Sequence, residues 1–170
     1  MIEVLMLDLG DTLVTGSPPV PLPGVPQALT DLQSLTTSAG APIPMCLVSD
    51  FTDLMSPATP NQVADAEDRY RTILQNAGLS QFFSPFEKTV TLSTHVGVKK
   101  PDCRVFQAAV ARLGLASLPL ERCLLITEAA AHVATVRRYG MKALRFGAGG
   151  GPGVDFSAWS DAKNHITPLL

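Results

Sequence analysis

Short apolar runs that alternate with helical patterns constrain this chain more than any other feature. Glu3–Leu7, Ile43–Val48, Thr89–Leu92, Arg122–Ile126 and Lys142–Phe146 have strand length and strand composition. Between them lie segments with apolar residues at helical spacing. In Pro26–Thr36, Ala28, Leu29, Leu32 and Leu35 share one face. Val63–Ala77 is stopped by Gly78, Pro101–Leu113 starts on Pro and ends before Gly114, and Ala129–Tyr139 is closed by Gly140. Such alternation predicts an α/β fold: a Rossmann-like parallel sheet in three layers, with helices on both faces.

Two stretches cannot join that pattern. Thr12–Val25 carries Gly16, Pro18, Pro19, Pro21, Pro23 and Gly24, which excludes regular helix and central strand. Asp53–Gln62 reads as a Pro-bearing loop. After the last strand, Gly147–Gly153 is flexible by composition, and Val154–Trp159 offers apolar side chains to dock on the body. The expected organisation is one core domain over residues 1–147 with a Gly-rich tail, 148–170, packing on it. Apolar residues make up 46% of the 170, enough for one substantial core.

A net charge of −2 offers no basic footprint for nucleic acid, and no apolar run approaches the ~18 residues of a membrane span. The N-terminus has no basic segment and reaches Asp8 at once, so it reads as a strand rather than a secretion signal. A cytoplasmic location is expected. Cys46 and Cys123 sit in apolar runs as core thiols, Cys103 falls in the first turn of a helix, and none forms a metal-binding pattern. Phe82-Phe83 reads as one core anchor beside one half-exposed ring, with a partner surface as the rival reading.

Ligands of open parallel sheets bind beyond the carboxyl ends of the strands. The residues found there are Asp8, then Ser49-Asp50, then Lys99-Lys100-Pro101-Asp102, then Thr127-Glu128. Each alone has an ordinary reading: Asp8 or Ser49 as a turn cap, Lys100 as a solvated lysine, Glu128 as a helix-start acid. Together, at successive strand ends, they supply a nucleophile, a phosphate-oxygen donor, a charge neutraliser and a Mg²⁺ ligand.

Their order resembles the haloacid-dehalogenase-like hydrolase superfamily. Leu5-Met6-Leu7-Asp8-Leu9-Gly10-Asp11-Thr12-Leu13 is similar to the first motif, a strand followed by DxDxT. Met45–Ser49 is similar to the second, a strand ending in Ser or Thr. Val96-Gly97-Val98-Lys99-Lys100-Pro101-Asp102 with Val105-Phe106 is similar to the third, and Leu124–His132 followed by Tyr139-Gly140-Met141 stands in the place of the fourth. The resemblance implies that Asp8 attacks phosphorus and forms an aspartyl-phosphate. It implies that Ser49 and Lys100 bind the phosphoryl group, and that Asp8, the Gly10 carbonyl and Glu128 hold Mg²⁺.

The pattern is broken in three places. Gly10 replaces the Asp that protonates the leaving oxygen, a contribution of ~10²–10⁴-fold. Asp11 is one residue out of place and is expected to serve the local turn instead. Glu128 replaces an Asp ligand with one more methylene, and Mg²⁺ is strict about geometry. His132 stands where a second Asp would be, on the same helix face as Glu128; an alternative metal held by that pair is the lesser reading beside a surface histidine. Relatives that need no such leaving-group acid, dehalogenases among them, carry a cap domain, and neither insertion point here has room for one. Two functions follow. One is a slow Mg²⁺-dependent phosphomonoesterase acting on an accessible, even macromolecular, phosphoester. The other is an inactive phosphate-binding or regulatory protein.

Overall fold

The computed structural model describes residues 1–37, 39–51 and 58–170. Five parallel strands form its sheet: β1 (Val4–Leu7), β4 (Met45–Ser49), β5 (Val90–Leu92), β6 (Cys123–Thr127) and β7 (Lys142–Arg145), in the order β5-β4-β1-β6-β7. The remaining strands, β2 (Val14–Thr15) and β3 (Val20–Pro21), make a separate two-stranded hairpin. The order reverses at β1, whose neighbours β4 and β6 lead the chain to opposite sides. Such a switch point is where an open α/β sheet makes a crevice.

The central strands are buried throughout because side chains leave them alternately to two apolar faces. Leu5, Leu7 and Leu47 enter one core, with Leu29 and Leu32 of α1 (Val25–Gln33) and Ala66, Tyr70 and Leu74 of α2 (Pro60–Asn76). Val4, Met6, Cys46 and Val48 enter the other, with Val105, Phe106 and Ala109 of α5 (Cys103–Arg112) and Val133 and Val136 of α6 (Ala130–Arg138). Three layers result. The short helices α3 (Phe86–Thr89), α4 (Ser93–Val96) and α7 (Ala162–Ile166) complete the set.

Several boundaries differ from the sequence reading. The helix expected from Val63 starts at Pro60, because Thr59 caps it: its hydroxyl accepts from Gln62 N while the Gln62 side chain accepts from Thr59 N. Pro60–Gln62 are therefore helical; residues 53–57 of the expected loop lie outside the described residues. The third long helix starts at Cys103 rather than Pro101, with the Asp102 carboxylate accepting from Arg104 N. The Pro- and Gly-bearing segment after Asp8 forms the β2–β3 hairpin, and among the described residues no cap domain stands over the sheet edge.

The C-terminal segment packs hard against the body. Phe156 bridges Phe146, and Trp159, Ala162 and Ile166 are buried in the first core. Trp159 Nε1 donates to the backbone carbonyl of Thr12 at 2.7 Å. The tail lies in ordinary contact with Gly24, whose φ of +82 is what favours glycine there.

Candidate functional site

Asp8 follows β1 directly, and its amide donates to the Ile126 carbonyl at 3.0 Å, extending the ladder by one residue. That bond fixes the direction of the side chain. Asp8 is 7% exposed, and both of its carboxylate oxygens are engaged. Oδ1 accepts from Lys100 Nζ at 2.5 Å and from Leu9 N at 2.9 Å, while Oδ2 accepts from the Thr127 hydroxyl at 3.0 Å.

Lys100 is 6% exposed, so the solvated-lysine reading fails. A buried ammonium must be paired and hydrogen-bonded. Lys100 Nζ meets that need with Asp8 and with the Val48 carbonyl at 2.9 Å, and the Lys100 amide donates to Asp50 Oδ1 at 2.8 Å. Asp50 thus fastens the lysine-bearing loop to the end of β4. Ser49, 6% exposed, ends β4 beside β1.

Across β6, Glu128 is held by two threonines. Thr12 Oγ1 donates to Glu128 Oε2 at 2.6 Å and accepts from Glu128 N at 3.1 Å. Thr127 Oγ1 lies 3.2 Å from the same Oε2. One hydroxyl proton serves one acceptor at a time, so the carboxylates of Asp8 and Glu128 compete for Thr127. Both therefore converge on a single point at the switch of the sheet. The sequence reading singled out neither threonine for a role of its own; Thr127 ends an apolar run, and only the third dimension shows its hydroxyl between two acids.

The remaining candidates make no side-chain hydrogen bond to this cluster among the described residues. Gly10 forms an isolated bridge to Val14 and is exposed; a side chain placed on it would meet nothing within 4 Å. Asp11 turns through φ 50, and its exposed carboxylate accepts from Thr15 Oγ1 at 3.1 Å, serving the turn that opens the hairpin. His132 is half-buried, its Nδ1 has no partner among the described residues, and no hydrogen bond joins it to Glu128.

Beside these groups lies an open cleft of about 320 Å³. Gly10, Asp11 and the hairpin form one wall, and Ser49, Asp50, Phe51 and Tyr70 the other. As for metal, no three His, Cys, Asp or Glu side chains cluster among the described residues. The available donors are hard oxygens, the two carboxylates meeting at Thr127. That set fits Mg²⁺, which commonly takes one or two carboxylates and keeps water for its other positions.

No family profile matches the sequence, and no curated protein matches it. Solved structures do match. A HAD-superfamily hydrolase from Ehrlichia chaffeensis is similar over 89% of this chain and 60% of its own, with 18% identity and a TM-score of 0.60. The magnesium-bound HAD-hydrolase YfnB from Bacillus subtilis is similar over 85% of this chain and 55% of its own, with 14% identity and a TM-score of 0.57. L-2-haloacid dehalogenase from Xanthobacter autotrophicus matches over the full length of both chains, with 11% identity and a TM-score of 0.68. This chain spans less than two thirds of the length of the first two. Identities this low speak for the fold, and the five-stranded parallel sheet with its reversal at β1 agrees with them: the chain has the haloacid-dehalogenase-like fold.

Proposed function

We propose that this protein is a slow Mg²⁺-dependent phosphomonoesterase with Asp8 as nucleophile. The observation that supports it best is the buried Asp8 carboxylate at the carboxyl end of the central strand, clamped between the Lys100 ammonium and the Thr127 hydroxyl. Clamping from both sides fixes the carboxylate before substrate arrives, and orientation of this kind is worth several kcal/mol of barrier.

The Asp8 carboxylate attacks phosphorus, the ester P–O bond breaks, and an aspartyl-phosphate forms. With Gly10 in place of an acid, the departing oxygen takes its proton from water. Water then attacks the phosphorus of the acyl phosphate, freeing Asp8 and orthophosphate. The Ser49 hydroxyl donates to a phosphoryl oxygen, and Lys100 neutralises charge shared between nucleophile and phosphate. Asp8, Glu128 and the Gly10 carbonyl would hold Mg²⁺, which supplies further neutralisation of the phosphoryl oxygens. The uncapped cleft admits bulky phosphoesters, including phosphorylated macromolecules. A second reading, phosphate binding without turnover, is favoured by Gly10 itself, which brings no carboxyl to that position, and by Asp11, whose carboxylate is engaged with Thr15 Oγ1.

The test is p-nitrophenyl phosphate turnover with and without Mg²⁺. Metal-dependent turnover that disappears in Asp8→Asn is expected. Turnover that survives Asp8→Asn sinks the mechanism, and no turnover in the wild type selects the binding protein.

A further inference from the structure

Tyr70 projects from α2 into the first core. Its ring meets Phe51 edge-on at 5.2 Å and Phe86 at 6.3 Å, and the residue is 1% exposed. A tyrosine so placed would ordinarily turn its hydroxyl to a partner, because a buried hydroxyl without one costs about 1–3 kcal/mol. The Tyr70 hydroxyl has none among the described residues. Phenylalanine would fill the same space without that cost. The hydroxyl is instead placed where Ser49 and Asp8 are its polar surroundings. Burial drives the phenol pKa well above its ordinary value; the Ser49 side chain, within hydrogen-bonding reach though not in good geometry for a bond, works against it, and the charge of Asp8 adds to it. Tyr70 also lines the cleft that contains Ser49 and Gly10.

We infer that Tyr70 is a second hydroxyl donor for the phosphoryl anion, acting beside Ser49. A phenol O–H can donate to a phosphoryl oxyanion. The two hydroxyls come from different elements, Ser49 from the end of β4 and Tyr70 from the third turn of α2, so they approach a tetrahedral anion from different sides. This assignment rests on the phosphate reading of the site and adds a residue that none of the family-like motifs contains.

The experiment measures inorganic phosphate binding to the full chain in Mg²⁺ by isothermal titration calorimetry, for wild type, Ser49→Ala and Tyr70→Phe, with thermal unfolding of each. Loss of a hydrogen bond to a charged oxygen predicts about tenfold or greater weakening in Tyr70→Phe. Its melting temperature without phosphate should be unchanged or raised, because the lost hydroxyl had no partner. A purely packing role would leave phosphate affinity untouched. If Tyr70→Phe binds phosphate as the wild type does while Ser49→Ala is weakened, the Tyr70 assignment is wrong and the phosphate site stands. If the wild type binds no phosphate, the site reading fails and takes the assignment with it.

Discussion

Restoring the missing acid by Gly10→Asp should separate a site that lacks one group from a site that is wrongly built. The structure makes the substitution unusually clean. A Cβ on Gly10 would meet no atom within 4 Å, and position 10 is not among the left-handed glycines, so neither clash nor backbone strain opposes it. The expected stability change is within about 1 kcal/mol, or roughly 2–4 °C in melting temperature for a chain of this size. The catalytic change should be much larger for one class of substrate. General acid help is worth roughly 10²–10⁴-fold where the leaving oxygen is strongly basic, and little where the leaving group departs readily as an anion. Wild type should therefore turn over p-nitrophenyl phosphate far faster than a simple alkyl phosphate such as glycerol phosphate. Gly10→Asp should raise kcat/KM for the alkyl ester by about 10² or more and narrow that ratio. Orthophosphate release with both substrates, at matched folding, is the assay. An alkyl phosphatase rate that Gly10→Asp leaves unchanged in a folded protein that does cleave p-nitrophenyl phosphate would refute the assignment of position 10.

The Asp8–Lys100 pair makes a prediction about stability. Lys100→Met leaves a buried carboxylate with no counter-charge, which should cost about 3–5 kcal/mol in urea unfolding, while Asp8→Asn/Lys100→Met should recover much of it; equal stability of single and double variants would contradict the pairing. The thiols differ by environment. Burial pushes the Cys123 pKa up to about 12, and burial first and the neighbouring Cys123 second raise that of Cys46. An aromatic disulfide reagent at pH 8 should therefore count one reactive thiol in the native protein, the half-buried Cys103, and three after denaturation.

The strands and the candidate site residues at their ends were legible in the sequence for a common reason. Central parallel strands are buried on both faces, so they read as apolar runs, and Asp8, Ser49 and Thr127-Glu128 stand where the runs of β1, β4 and β6 end. The β2–β3 hairpin was invisible because two-residue strands have no periodicity, and Pro18 and Pro19 between them signal only irregularity. The start of α2 was missed because Pro60 looks like a breaker until Thr59 and Gln62 are seen as a reciprocal cap. Burial of Lys100 could not be read from its neighbours, since it depends on a carbonyl of β4 and a carboxylate of β1. Tyr70 escaped notice for the opposite reason. With Ala66 and Leu74 it forms a stripe at helical spacing, which is what core packing looks like, and a stripe does not show where a hydroxyl ends up.

Thr12 faces two ways, and this ties the chain's far end to its chemistry. Its carbonyl accepts the indole N–H of Trp159, and its hydroxyl grips the Glu128 carboxylate. A residue near the C-terminus thus steadies, through one intermediary, an acid more than thirty positions before it. The indole belongs to the chain's single tryptophan. Its emission is therefore an intrinsic optical gauge of whether that linkage is engaged, with no label required.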